Sequence, residues 1–201
     1  LMPSAYEQCI RLIKSEAPDM LLFRFCGHGA GPLPAMSGTA YMLRHNLRAS
    51  ACTYLFRRSL LGNLRFIQGI LHEDEAFTPQ LMLRARTVLD TGSAAYAYRR
   101  HASSITTRTD QNHIRRRLAD KEAVIVMLDR LSHHLPPQQT MALRRRVSQL
   151  TMDLMLDTAR LTDGPEPLRQ LVSRLRPASL YPLPLKPYTP AYFLFSLLSA
   201  S

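Results

Sequence analysis

The sequence is poor in cysteine and contains no long hydrophobic run. Its three cysteines, Cys9, Cys26 and Cys52, are odd in number and form no CxxC pair, which argues against a disulfide framework and predicts reduced thiols in a cytosolic setting. No apolar run reaches the ~18 residues that a membrane-spanning helix needs. The patterns GxxxxGK[S/T] and GxGxxG are also absent, which excludes nucleotide sites of those two classes.

Acidic residues are scarce, and the net charge is +11. Residues 1–98 hold 10 Lys and Arg against 7 Asp and Glu, whereas residues 99–201 hold 16 against 8. Arginine supplies 23 of the 26 cations, and its planar fork suits phosphate and carboxylate ligands. On charge alone, diphosphate ligands, an anionic membrane surface and nucleic acid all remain compatible partners.

The hydrophobic pattern of the first half predicts an α/β fold. The expected order is helix, strand, helix, strand, helix, strand, which describes a sheet that lacks its first members. The predicted helices cover 4–16, capped by Ser4, then 38–47 and 73–84. The predicted strands cover 20–25, 52–57, 87–89 and 94–98, the last two around a turn at 90–93.

The second half predicts an all-helical subdomain. Apolar residues recur at helical spacing from Ile114 to Leu135 and from Leu143 to Leu161, and Pro136-Pro137 separates the two runs, which predicts an antiparallel helix pair. A shorter helix is expected at 165–175. The apolar stretch 191–198 is either a buried closing helix, which we favour, or a membrane-touching one. The predicted domains are therefore 1–106 and 107–201.

Four short blocks between residues 50 and 105 carry the most specific information. They are LFRR at 55–58, RFIQGI at 65–70, HEDE at 72–75 and YAYRRHASSI at 96–105. Their order and spacing resemble the second half of the catalytic domain of family 2 glycosyltransferases of the bacterial capsule and lipopolysaccharide type. The opening residues 1–6 resemble the segment that follows the D-S-D-D-Y metal motif of that family. The resemblance covers residues 1 to about 106.

This resemblance implies a glycosyltransferase A fold, of which the chain would supply the acceptor-side half. The implied enzyme transfers a sugar with inversion from a nucleotide-sugar donor to a glycan or lipid-linked acceptor in cell-surface polysaccharide synthesis, using Mn²⁺ or Mg²⁺. It would work in the cytoplasm, at the inner face of the cell membrane. Because the family's uridine-binding strands and D-x-D ligands have no counterpart in these 201 residues, we expect the chain to be inactive alone. A sheet truncated in this way needs its edge covered by the helical tail or by a second copy, which predicts self-association.

Asp74 is the strongest candidate for a catalytic residue. Inverting transfer needs a base that takes the proton of the acceptor hydroxyl, and a carboxylate at a helix N-terminus suits that role because the helix dipole keeps it ionised. In the resemblance, the Asp of the E-D pair is the base, which is Asp74, and Glu73 is the neighbouring orienting acid. The alternative is that residues 73–75 are ordinary acids at a helix start.

A second group of candidates follows the last predicted strand. Arg99, Arg100, His101 and Ser104 would stabilise the negative charge that develops on the departing nucleoside diphosphate. His101 stands where the family carries a basic residue, and it would bind either phosphate or the metal ion. The alternatives are exposed surface charges for the basic residues and a loop cap for Ser104.

The rival hypothesis is a non-catalytic, arginine-rich helical module that binds an anionic membrane or nucleic acid. Residues 107–175 hold 12 Lys and Arg but no Phe, Tyr or Trp, which disfavours stacking on bases, and we expect no nucleic-acid partner. The arginine runs 115–117 and 144–146 are expected on the polar sides of their helices. There they would be either solvated or in contact with anionic lipid.

Overall fold

The computed structural model describes residues 2–99, 108 and 110–200, and the chain has a mixed α/β fold that divides into two units. One unit comprises residues 1–68 and 73–107, and the other comprises 69–72 and 108–201. The chain therefore passes from the second unit back to the first between His72 and Glu73.

The first unit is built on a three-stranded sheet in the order β2-β1-β3. Strand β1 pairs antiparallel with β2 and parallel with β3. The predicted order of helices and strands is confirmed up to β3. The elements are α1 Pro3–Glu16, β1 Met20–Phe25, α2 Gly38–Arg44, β2 Tyr54–Phe56, α3 Glu73–Arg84 and β3 Val88–Tyr96. Pro3 begins α1 and Met2 is its N-cap residue, with no side-chain cap, so the expected cap by Ser4 is wrong.

Helices cover both faces of this sheet. Ala5 and Cys9 of α1 pack against Leu21, Phe23 and Ala95 on one face. On the other face, a hydrogen bond from a tyrosine hydroxyl joins each helix to a strand. The Tyr41 hydroxyl of α2 donates to Asp90 Oδ2 at 2.8 Å, and Tyr54 of β2 hydrogen-bonds Thr78 of α3 at 2.9 Å. A central strand buried on both sides explains why the first four residues of β1, at 20–23, are all apolar.

The single strand β3 stands where two strands were predicted, at 87–89 and 94–98. Leu22 lies opposite Asp90 but Arg24 lies opposite Ala94, so β3 bulges between these positions. Gly92 sits in the bulge at φ +63°, where a Cβ atom would lie 2.1 Å from the Ala30 carbonyl oxygen. The turn-like residues at 90–93 therefore mark a bulge and not a strand break.

The outer edge of β3 is covered by a neighbouring loop of the same chain. The amides of Ala30 and Leu33 donate to the carbonyls of Gly92 and Asp90, each at 2.9 Å, and Met36 pairs with Val88. This loop satisfies backbone groups that an open edge would expose. The expectation that the helical tail or a second copy covers the edge is therefore wrong for β3.

The second unit consists of helices, as predicted. They are α4 Gln111–Ser132, α5 Pro137–Leu161, α6 Glu166–Leu175 and α7 Pro190–Ala200. A short connection makes α4 and α5 antiparallel neighbours, and the Lys121 ammonium lies 2.9 Å from Asp157 Oδ2 across them. Residues 69–72 join this unit because Asp120 Oδ2 accepts the Leu71 amide at 2.8 Å. Within the described residues, no helix is long and apolar enough to cross a membrane.

The arginine run of α5 is not a solvated face. Arg144 is exposed, but Arg145 and Arg146 are only 6% and 8% exposed, and the Arg145 guanidinium lies 5.1 Å from the centroid of the Tyr188 ring. Three consecutive helical residues span about 200° of the helix circumference, so they cannot share one polar face. The expectation of a fully solvated 144–146 run is wrong.

Helix α7 is buried on one face and exposed on the other. Tyr192 and Ser196 are fully buried, whereas Leu194 and Leu198 are 62% and 77% exposed. The preferred interpretation as a buried closing helix therefore holds for one face only.

We expect Gly38→Ala to destabilise the first unit strongly. The Gly38 amide donates to the Ala85 carbonyl at 2.9 Å, and a Cβ atom at residue 38 would lie 1.8 Å from the Met82 carbonyl oxygen. Overpacking against backbone should cost about 2 kcal/mol or more of unfolding free energy, measured by urea denaturation. Gly31→Ala is the matched control, since no atom lies within 4 Å of a Cβ there. Equal stability of the two variants would contradict this packing.

Candidate active site at the carboxyl edge of the sheet

Several candidate side chains lie toward the edge of the sheet where β1 and β3 end. The C-terminus of α3 leads into the first residue of β3. The N-terminus of α3 therefore lies toward the other end of the sheet, where β3 ends. Tyr54, the first residue of the antiparallel β2, pairs with Leu22 toward the same edge. In open α/β sheets, ligands bind outside the carboxyl ends of the parallel strands. We call this region the carboxyl edge.

Asp74 lies in the first turn of α3, between Glu73 and Glu75. The residue before the helix, His72, has a left-handed backbone with φ +65°, a conformation that costs energy in a non-glycine residue. Asp74 Oδ1 accepts the Glu75 amide at 2.9 Å, which satisfies one of the free N–H groups at the helix start. Its carboxyl group is thus held in place by its own helix.

Burial, followed by the charges of Glu75 and Glu73, raises the pKa of Asp74 to about 6. Desolvation and the two like charges thus act against the helix dipole, which was expected to keep this carboxyl ionised. A pKa near 6 leaves about nine-tenths of the carboxyls ionised at pH 7. The group is consequently a stronger base than an ordinary aspartate, yet it remains largely charged at neutral pH.

The charge of Asp74 acts on two side chains outside the four sequence blocks, Cys52 and Tyr54. Burial is the largest cause that raises the pKa of both side chains, to about 12 for Tyr54, and the charge of Asp74 adds to it. The Thr78 hydroxyl donates its proton to the Ala49 carbonyl at 2.7 Å. It is therefore the acceptor in its hydrogen bond with the Tyr54 hydroxyl. This chain of hydrogen bonds fixes α3 against β2. Sequence reasoning missed it because it joins residues far apart in the chain.

Phe66 of the 65–70 block lies against α3. The Phe66 ring stacks on Phe77 with centroids 4.0 Å apart and an interplanar angle of 15°, and Arg65 is tied to the Gly62 and Leu64 carbonyls at 2.8 Å. Phe77 stands three residues after Asp74, so the two share a side of the helix. Phe66 remains 44% exposed and offers an apolar surface on that side.

Arg99 follows β3 at the carboxyl edge and is exposed. Arg100, His101 and Ser104 lie outside the described residues, so their roles stay predictions. An aromatic pair precedes Arg99, since Tyr98 meets Phe25 edge-to-face with centroids 5.5 Å apart.

The Arg48 guanidinium also lies 5.5 Å from the Phe25 centroid. Arg48 is thus a second exposed cation at this edge, and no sequence signal pointed to it.

Within residues 2–99, 108 and 110–200, no group of three or more His, Cys, Asp and Glu side chains could hold a metal ion. The residues present here therefore do not form a metal site, and His101 lies outside these ranges. No protein-family model matches the chain, and no curated protein matches it significantly.

We expect Asp74→Asn to stabilise the protein at high pH only. A pKa raised in the folded state means that the stabilising contribution of Asp74 is complete below its unfolded pKa and is lost as pH rises through 6. Asparagine keeps the acceptor for the Glu75 amide without the charge. The gain in unfolding free energy should be about 1–3 kcal/mol at pH 8 and close to zero at pH 4, measured by urea denaturation. The control is Glu7→Gln at an exposed position of α1. An equal effect of Asp74→Asn on the unfolding free energy at both pH values would contradict the raised pKa of Asp74.

Proposed function

We propose that the protein is the acceptor-side part of an inverting glycosyltransferase of the A-type fold, acting in the synthesis of cell-surface polysaccharide. The observation that carries this proposal is the desolvated carboxyl of Asp74 at the carboxyl edge of the sheet, with its pKa raised to about 6. A base of this strength suits proton removal from a sugar hydroxyl near neutral pH. The four blocks between residues 50 and 105 support the same family.

In the proposed reaction, Asp74 takes the proton of the acceptor hydroxyl while that oxygen attacks the anomeric carbon of the nucleotide sugar. The new carbon–oxygen bond forms on the face opposite the diphosphate, so the configuration inverts. The bond to the diphosphate breaks, and its electron pair leaves on the phosphate oxygen. Glu73 and Glu75 increase the proton affinity of Asp74 through their negative charges.

The leaving group requires positive charge where the diphosphate departs. We assign that role to the segment that begins at Arg99 and includes Arg100, His101 and Ser104. Arg48 is a further exposed cation at the same edge. The guanidiniums of these three arginines, with the imidazole and the hydroxyl, would bind diphosphate oxygens through charge-assisted hydrogen bonds.

The divalent cation of the proposed enzyme is not assigned to the described residues, because they offer no ligand set. The resemblance places the D-x-D ligands of Mn²⁺ or Mg²⁺ in the family's segment ahead of the part matched here.

A non-catalytic module that binds an anionic membrane is the second candidate. The observation that favours it is the exposed apolar face of α7, where Leu194 and Leu198 are 62% and 77% exposed. Against it, Arg145 and Arg146 are buried and thus cannot reach anionic headgroups as a solvated run would. Sugar transfer separates the two candidates, since a binding module would show none.

We expect Asp74→Asn to abolish turnover without weakening donor binding. In the longest natural chain that contains these residues, loss of the base should lower kcat ~10²–10⁴-fold, whereas nucleotide-sugar affinity stays unchanged. The wild-type rate should rise with pH through an apparent pKa near 6, and Glu73→Gln should move that limb to lower pH. Glu7→Gln serves as the unaffected control. Turnover of Asp74→Asn within a few-fold of wild type would refute the assignment.

A further inference from the structure

The amino edge of the sheet, opposite Asp74, carries a cavity of about 480 Å³. It lies where β1 and β3 begin and β2 ends. Its polar lining includes three arginines, one serine and one aspartate, from separate segments of the first unit. We call it the arginine cavity, and its defining residues are Asp19, Arg57, Ser59, Arg84 and Arg86.

Two of its guanidinium groups are anchored by neutral acceptors. One nitrogen of Arg84 donates to the carbonyls of Leu60 and Leu61, at 3.0 and 2.6 Å. One nitrogen of Arg57 donates to the Ala17 carbonyl at 2.7 Å. Backbone carbonyls orient these side chains without neutralising their charge. The remaining N–H donors are therefore held in place for a further acceptor.

Asp19 offsets only part of this charge. Its Oδ2 accepts the amides of Arg86 and Thr87 at 2.8 and 3.2 Å, and its Oδ1 lies 3.5 Å from Arg57 Nε. Asp19 is the single carboxylate against three guanidiniums in the lining. The Arg86 side chain is exposed, and its guanidinium has no partner within the described part of the chain. The cavity thus carries a net positive charge of two.

We infer that the arginine cavity binds a phosphoryl group. A dianionic oxyanion matches its net charge, and the guanidinium forks match the geometry of phosphate oxygens. The exposed Ser59 hydroxyl adds one more donor. This inference is independent of the proposed glycosyl transfer, because the cavity and Asp74 lie at opposite edges of the sheet.

A smaller apolar cavity adjoins this site. Its presence allows a phosphate ester to be distinguished from free phosphate as the ligand. It has a volume of about 250 Å³, shares Asp19 and Arg57 with the arginine cavity, and adds Ile13, Leu55 and Phe56. A phosphate ester with an apolar substituent would fill both cavities, whereas free phosphate would fill one. Burial of the substituent should make an ester bind more tightly than inorganic phosphate.

The test is titration of the 201-residue chain with inorganic phosphate and with hexyl phosphate, followed by calorimetry and amide NMR. We expect saturable shifts at the amides of Arg57, Ser59 and Arg86, with none at Glu75. Arg86→Gln should weaken affinity about fivefold or more, and Asp19→Asn should tighten it because a competing negative charge is removed. Hexyl phosphate bound about tenfold more tightly than phosphate identifies an ester as the ligand, and equal affinities identify the free anion.

Controls keep the result specific to this cavity. Arg11→Gln removes a charge from an exposed position of α1 and should leave the affinity for phosphate unchanged. Arg84→Lys keeps the positive charge but removes the planar guanidinium, and it should therefore weaken binding. Amide spectra of each variant report folding. The inference is overturned if neither compound binds up to about 10 mM, if Arg86→Gln binds like wild type, or if the shifts map to Glu75 instead.

Discussion

The carboxylate of Asp90 is only 1% exposed, and donors from three parts of the first unit hold it. Arg24 of β1 and the Tyr41 hydroxyl of α2 donate to Oδ2, and the Gly92 amide of the bulge donates to Oδ1. Burial and then the charge of Asp90 raise the pKa of Tyr41 to about 12, so the phenol stays a donor at any physiological pH. Removing one partner from such a buried charge costs about 3–5 kcal/mol. Asp90 therefore ties β1, β3 and α2 together and fixes the direction in which β3 leaves toward Arg99.

Asp74 and the arginine cavity lie at opposite edges of the sheet, and this separation has an electrostatic consequence. A guanidinium within a few ångströms of a carboxylate lowers its pKa, which would make Asp74 a weaker base. The charged neighbours that shift the pKa of Asp74 are instead the acids Glu73 and Glu75. The anchored arginines lie at the amino edge, where they contact Asp19 and backbone carbonyls.

Sequence patterns predicted the elements that local periodicity and composition determine. The bounds of β1 and α3 agree with the prediction because a buried apolar run and an acidic helix start are local signals. The bulge at Gly92 was missed because tertiary contact with Ala30, and not the turn-like sequence, decides its geometry. Tyr54, Arg48 and the burial of Arg145 depend on contacts between distant residues, which spacing alone does not encode. The finer assignment to the glycosyltransferase A fold stays a proposal that rests on the four blocks.

Desolvation makes Asp74 a base with a raised pKa, and carboxyl ¹³C NMR titration of the 201-residue chain measures that pKa. Assignment is secured by the resonance that Asp74→Asn removes. A midpoint near pH 6 is the predicted result. A midpoint at or below the ordinary aspartate value of about 4 would mean that burial does not raise the proton affinity of Asp74.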